Sequence, residues 1–257
     1  MPKNEEFGKR GRIAALVNMA GAADFAIEVG CDHGLISCGL AERKDIKKIL
    51  ATDISEASIS KLRNFIKDQE SSGNNLYGKK ISCMVNDGLR GLDFDSCDLV
   101  IIAGMGGRLI QRIMEGNVGL IDRTGQVLVS PQSDLPMFRK FLISMGKSVS
   151  EAMVFDSGHY YTIFDINPGK KISDTYVETA EEKLALEYGP DLLLNRNPVL
   201  KEKLEKDLAS ISLLIKKLDQ ELSEKDTKNI SDRIGLLRKE KENILALLSL
   251  YDRHSKE

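Results

Sequence analysis

Between residues 13 and about 166 the chain repeats one pattern, a short apolar run closed by a turn and then a stretch with helical spacing. The apolar runs fall at 25–30, 48–53, 81–87, 97–104, 125–130, 149–155 and 160–166. Such alternation predicts an α/β fold with a mostly parallel sheet and helices on both faces. Only Asp156, Ser157, Gly158 and His159 separate the last two runs. That is too short for a crossover helix, so these two should form an antiparallel hairpin at a sheet edge. Past Asn167, Pro168 and Gly169 the strand pattern stops and Leu, Lys and Glu dominate, dividing the chain into domains at 1–169 and 170–257. Leu204, Leu208, Ile211, Ile215, Leu218 and Leu222 follow the four-three spacing of a heptad seam. Ile230, Ile234, Leu237, Ile244, Leu248 and Tyr251 continue it in a second helix, interrupted by Lys241. The polar link at 223–229 favours an antiparallel helical hairpin in which each seam buries the other. Dimerisation through the same seam is the alternative, which leaves a monomer or weak dimer as the expected state.

The first run ends in Glu28-Val-Gly-Cys-Asp-His-Gly34, and the second ends in Asp53. Gly30 allows backbone to approach a ligand, and a helix at 35–42 would offer its N-terminal N–H groups to an anion. Asp53 is placed to accept hydrogen bonds from both hydroxyls of a ribose. A dinucleotide fingerprint requires a second glycine where this chain has Asp32, whose charge would repel a pyrophosphate. S-adenosylmethionine carries a sulfonium cation and no phosphate, so Glu28 and Asp32 favour it. A dinucleotide oxidoreductase is correspondingly disfavoured.

The other strand ends should face the same cleft, because ligands of open α/β sheets sit outside the carboxyl ends of the strands. Ala103-Gly-Met-Gly-Gly107 leads into a helical pattern at 109–114, and its three glycines imply close backbone approach. Asp87-Gly-Leu89 would wall an adenine ring, with Asp87 accepting from the exocyclic amine. Gln132 carries both a donor and an acceptor, suited to reading an adenine edge or to capping the helix that starts near Ser133-Asp-Leu-Pro136. His33 is read as a hydrogen-bonded helix-start residue sooner than as a base.

Composition narrows the class further. No apolar run approaches the roughly 18 residues of a membrane span, and the charged start lacks an export signal, so a cytoplasmic protein is expected. Cys31, Cys38, Cys83 and Cys97 form no Cys-x-x-Cys pair, and His33, His159 and His254 are scattered, which argues against a metal site. The formal net charge of −2 does not advertise nucleic acid. A local basic face is still available, and Lys9, Arg10 and Arg12 make the tightest cluster.

Taken together, Glu28-Val-Gly-Cys-Asp-His-Gly34, Asn86-Asp-Gly-Leu89, Ile102-Ala-Gly-Met-Gly-Gly107, Ser130-Pro-Gln-Ser-Asp-Leu-Pro136 and Tyr188-Gly-Pro-Asp-Leu-Leu-Leu-Asn-Arg-Asn-Pro198 resemble the bacterial TrmK-type tRNA (adenine-22-N1)-methyltransferases. The resemblance covers nearly the whole chain. It implies a Rossmann-like methyltransferase domain, a coiled-coil-like helical domain, S-adenosyl-L-methionine as cofactor and tRNA as substrate. By position, Glu28, Gly30, Asp32 and His33 become the first cofactor loop, and Asp53 with Ile54 the ribose side. Asp87, Gly88 and Leu89 become the adenine contact, and Ala103 to Gly107 occupy the catalytic-motif position, with Ala103, Gly104 and Met105 also among the cofactor contacts.

This chain has Glu28 where the family usually has Asp, Leu35 for a frequent Tyr, Ser130 for Gln and His159 for Lys. Tyr161 carries over. The expected catalytic group is Asp32 as a nearby carboxylate, with the carbonyls of Ala103 and Gly104 as acceptors for the base's amino group. Gln132 and Tyr161 would hold or stack on the base. Lys9, Arg10, Arg12 and Arg108 are the expected phosphate contacts. A methyltransferase acting on another RNA site or a small molecule, or a non-catalytic RNA-binding protein that kept the pocket, are the alternatives.

Overall fold

The computed structural model describes residues 11–92, 94, 97–167, 180–224 and 228–252. The chain divides into two compact units, Met1–Val177 and Glu178–Glu257. The boundary expected after Gly169 lies outside the described residues.

The first unit opens with α1 (Gly11–Met19), β1 (Ala23–Val29), α2 (Leu35–Glu42), β2 (Ile46–Asp53), α3 (Glu56–Ser71), α4 (Leu76–Lys80) and β3 (Ile81–Val85). It continues through β4 (Leu99–Ala103), α5 (Gly107–Glu115), α6 (Val118–Arg123), β5 (Gln126–Ser130), α7 (Leu135–Ser144), β6 (Ser148–Asp156) and β7 (His159–Asn167). All seven apolar runs are strands, in one sheet of order β3-β2-β1-β4-β5-β7-β6. Strands β1 to β5 are parallel. The hairpin pairs as expected, with β7 inserted antiparallel between β5 and β6, so that β6 forms one edge of the sheet and β3 the other. Asp87 lies two residues beyond the end of β3 rather than on it.

Successive side chains of a strand point to opposite faces, and the core is built on that alternation. Ala26 of β1 joins Leu16, Ile36, Leu40, Ile59 and Leu62 in one apolar layer under α1, α2 and α3. Its neighbour Ile27 joins Ile110, Phe138 and Phe141 in the layer under α5 and α7. Every residue of β4, Leu-Val-Ile-Ile-Ala, is buried, as a parallel strand covered on both faces requires. After β3 the chain crosses to the far side of β1, so strand order reverses between β1 and β4. This switch point is where α/β sheets hold ligands.

The second unit contains α8 (Ala180–Tyr188), α9 (Pro190–Leu194), α10 (Pro198–Glu224) and α11 (Lys228–Asp252). The last two pack together. Their ends fix the direction, because Tyr251 near the end of α11 donates its hydroxyl to the carbonyl of Asn197, just before α10. They therefore run antiparallel, and both extend into the expected link. Leu204, Ile211 and Leu218 of α10 and Ile234, Ile244 and Leu247 of α11 are all buried. Burial of Leu247 where the heptad spacing selects Leu248 follows the difference between a 3.6-residue turn and a 3.5-residue repeat.

Candidate functional site

A cleft of about 500 Å³ opens at the carboxyl ends of β1, β2 and β4. The volume lies within the roughly 300–1,000 Å³ of small-molecule sites. Its walls bring together Glu28, Gly30, Asp32, His33, Asp53 and Ile54. The loops after β3, β4 and β5 add Asp87 and Gly88, Ala103, Gly104 and Met105, and Gln132.

The end of β1 is organised by its own carboxylate. Glu28 is only 2% exposed, and its Oε2 accepts from the Ser37 N–H at 2.9 Å and from the Ser37 hydroxyl. This corrects the expectation that the start of α2 offers its N–H groups to an external anion: an internal acid already takes one of them. Burial pushes the Glu28 carboxyl up to about 7, opposed by the two bonds from Ser37 and reinforced by the Asp53 charge. An acid whose pKa is raised on folding holds its proton more tightly in the folded state. Its burial therefore costs nothing below the ordinary carboxyl range, and the cost grows until pH passes about 7. Wild-type stability should fall relative to Glu28→Gln over that interval, by roughly 3 kcal/mol in total. Urea unfolding at pH 5 and pH 8 measures the difference, and parallel pH dependence in the two proteins would refute it.

Asp53 ties two strand ends together. Its Oδ2 accepts from the Asp32 N–H at 3.0 Å and its Oδ1 from the Ser55 N–H at 2.8 Å. A carboxylate has about four acceptor positions, so two remain for a ligand. Asp32 adopts a left-handed backbone (φ 43°), which Asp tolerates better than most residues, and its carboxylate is exposed with His33 Nε2 at 3.5 Å.

Ile54, 72% exposed, and Leu109, 39% exposed, are apolar side chains left open within this cleft, and Ile113 lies one turn beyond Leu109. Together they offer an apolar slot of the kind a flat ring requires. Asp87 is exposed beside it, in a loop shaped by Asn86, whose Nδ2 donates to the carbonyls of Gly88 and Arg90 at 3.1 and 3.2 Å.

The glycines after β4 serve two purposes. A Cβ at Gly104 would meet no atom within 4 Å beyond its chain neighbours, so this position is open. Gly107 is packed against the next loop: a Cβ there would lie 2.7 Å from the carbonyl oxygen of Ser133, which accepts the Gly107 N–H at 3.1 Å. The Gln132 N–H donates to the carbonyl of Met105 at 2.9 Å, a second tie that sets Gln132 at the cleft wall. The close approach implied by the glycine loop is therefore partly protein on protein.

Several expected site residues sit elsewhere. Leu89 is fully buried in the core with Ile27 and Val100, because the turn at Gly88 directs it inward. The Ala103 side chain is also buried in the core, which leaves its backbone to face a ligand. Tyr161 does not line the cleft; it lies under the guanidinium of Arg12, 4.8 Å from the ring centroid, and Arg12 is the lining residue. Arg108 is exposed outside the cleft, 3.6 Å from Asp134. Lys9 and Arg10 lie outside the described residues. Leu109 and Ile113 were missed, although their four-residue spacing directly after the glycine loop marks one helical face. No group of three or more His, Cys, Asp or Glu among the described residues could hold a metal ion. No helix among them is long and apolar enough to cross a membrane.

Residues 26–240 match the family model of TrmK, tRNA (adenine(22)-N(1))-methyltransferase. The chain belongs to this family. A curated TrmK relative, the tRNA (adenine(22)-N(1))-methyltransferase of Bacillus subtilis, is 22% identical over 216 residues, 82% of this chain and 87% of its own length. Streptococcus pneumoniae Sp1610 in complex with S-adenosyl-L-methionine has a TM-score of 0.69 at 21% identity, covering 92% of this chain and 97% of that one. TrmK of M. capricolum, in complex with S-adenosyl-homocysteine, has a TM-score of 0.66 at 18% identity, covering 92% and 99%. These two share the fold of this TrmK-family chain.

Proposed function

We propose that this protein transfers a methyl group from S-adenosyl-L-methionine to N1 of adenine 22 in tRNA. The observation that carries the reading is the cleft at the strand switch point, with two acceptor positions free on Asp53 beside an open apolar slot, in a chain of the TrmK family. The residues fit the cofactor. Asp53 can accept from the ribose hydroxyls, Ile54, Leu109 and Ile113 can cover the adenine ring, and Asp87 can accept from its amine. The exposed Asp32 carboxylate supplies negative charge where a sulfonium and an ammonium need it, while Glu28 acts from beneath by holding the start of α2 through Ser37.

When bound, the cofactor supplies an electrophilic methyl group. Adenine N1 attacks with an in-plane lone pair, so no residue has to remove a proton first. The work of this chain is then positioning and field. Confining the reactants in line can contribute on the order of 7–11 kcal/mol. Positive charge develops on the adenine ring, and the exposed Asp32 carboxylate and the backbone carbonyls of Ala103 and Gly104 are the groups able to stabilise it. Gln132 is suited to hold the base edge. The protein acts as a cytoplasmic monomer or weak dimer.

Labelled methyl transfer to unmodified bulk tRNA, followed by nucleoside mass spectrometry, tests the reading. 1-Methyladenosine is expected, with a reverse-transcription stop at the methylated base placing it at nucleotide 22, and tRNA binding should weaken with added salt as phosphate contacts are screened. Cofactor binding without any methyl incorporation would overturn the substrate assignment.

A further inference from the structure

The start of α1 is fastened to the tip of the hairpin in a way that leaves one guanidinium nitrogen without a hydrogen-bond partner among the described residues. Gly11 has φ 76°, and a Cβ there would lie 2.5 Å from Asp156 Oδ2, so only glycine lets the chain come this close. The Arg12 N–H donates to that same oxygen at 3.0 Å, while Asp156 Oδ1 accepts from the Ser157 hydroxyl at 2.9 Å. Asp156 thus binds the backbone of Arg12 and not its guanidinium. The guanidinium instead lies over the Tyr161 ring, and its Nη1 is buried with no hydrogen-bond partner among the described residues. Leaving a buried charged donor unsatisfied is costly. Arg12 is also a lining residue of the cleft, so a ligand entering there can reach it.

Resting on the function proposed above, we infer that Arg12 binds a phosphate of the RNA strand flanking the target adenine, and that Tyr161 is the positioning residue that holds its guanidinium flat. A planar guanidinium with free donors matches a phosphate oxygen pair. The base itself is the wrong partner. A donor on adenine N1 would occupy the attacking lone pair, and a cation against the ring would oppose the positive charge it acquires. Two anions can then reach Arg12, a substrate phosphate and the cofactor's own carboxylate. Arg12 takes the phosphate, and a loss of cofactor affinity on its removal would reveal the carboxylate instead. Tyr161 acts through Arg12 rather than on the base.

The test compares wild type, Arg12→Gln, Arg12→Lys, Tyr161→Phe and Tyr161→Leu in steady-state methylation of tRNA across a salt series, with S-adenosylmethionine Kd measured for each by calorimetry. Arg12→Gln should raise KM for tRNA by roughly 10- to 100-fold, in line with loss of a charge-assisted bond. Its slope of log(kcat/KM) against log[salt] should become shallower by about one. Its cofactor Kd should stay within about twofold, which also shows that the cleft is folded. Arg12→Lys should keep the salt slope and recover part of KM, Tyr161→Phe should resemble wild type, and Tyr161→Leu should raise KM. An unchanged salt slope in Arg12→Gln, a fall in kcat alone, or a matching loss of cofactor affinity would each overturn the phosphate assignment. Absence of 1-methyladenosine with the wild-type protein would instead overturn the proposed function.

Discussion

Replacing Asp53 by Ala is expected to weaken S-adenosylmethionine binding by roughly 10²- to 10⁴-fold, since two hydrogen bonds to a charged acceptor, each worth about 1.5–3 kcal/mol, are lost together. The loss has a second component. Asp53 also accepts the Asp32 and Ser55 N–H groups, so its removal loosens the first loop at Asp32, although the Gly30 and Cys31 N–H groups still bond the Thr52 carbonyl, as well as stripping the ribose of its acceptor. Asp53→Asn keeps one acceptor oxygen and should fall between wild type and Ala. Calorimetric titration of the three proteins decides the matter, and methyl transfer at saturating cofactor separates binding from turnover. A Kd for Asp53→Ala within threefold of wild type would remove Asp53 from the ribose site.

The second large effect is on stability. Arg139 of α7 and Glu151 of β6 form a pair whose side chains are 3% and 5% exposed, with Nη2 to Oε2 at 2.6 Å and Nε to Oε1 at 3.0 Å. The guanidinium also lies 5.5 Å from the Phe164 ring centroid. Removing one partner from a buried pair strands the other charge, so Glu151→Ala should lose about 3–5 kcal/mol of unfolding free energy. The double variant Arg139→Met with Glu151→Leu should recover most of that loss, because apolar groups of similar volume need no partner. Urea unfolding of the three proteins provides the check. A loss below about 1 kcal/mol in Glu151→Ala would show that the pair is not holding α7 to the sheet edge. Its link to function is indirect: α7 begins directly after the Gln132–Asp134 loop, which Gly107 and Met105 meet on the other side.

The strands and the acids at their ends were legible in the sequence because their determinants are local. Period-two apolar runs and the turn residues that close them act over a few positions, so the sequence pattern alone assigns Gly30, Asp53 and Asp87 to one cleft. The same locality put α2 at its observed bounds and paired α10 with α11. Local pattern failed where two side chains must choose between partners. Leu89 has the same turn context as a ligand contact, yet the turn at Gly88 sends it into the core. Glu28 and Ser37 are only nine residues apart, yet nothing in their spacing says that the acid would bind the helix N-terminus rather than a ligand.

The pattern of this chain by itself determined a parallel sheet, a hairpin edge, a helical second unit and an acidic cleft better suited to a sulfonium than to a pyrophosphate. The tertiary structure alone decided that β7 lies between β5 and β6, that Tyr161 sits beneath Arg12 outside the cleft, and that Asp156 grips the chain at Arg12 from 144 residues away. The physical reason is range. Periodicity and turn chemistry are settled among neighbours, whereas the partner of a buried charge is settled by strand order and packing, which bring together residues that share no local pattern.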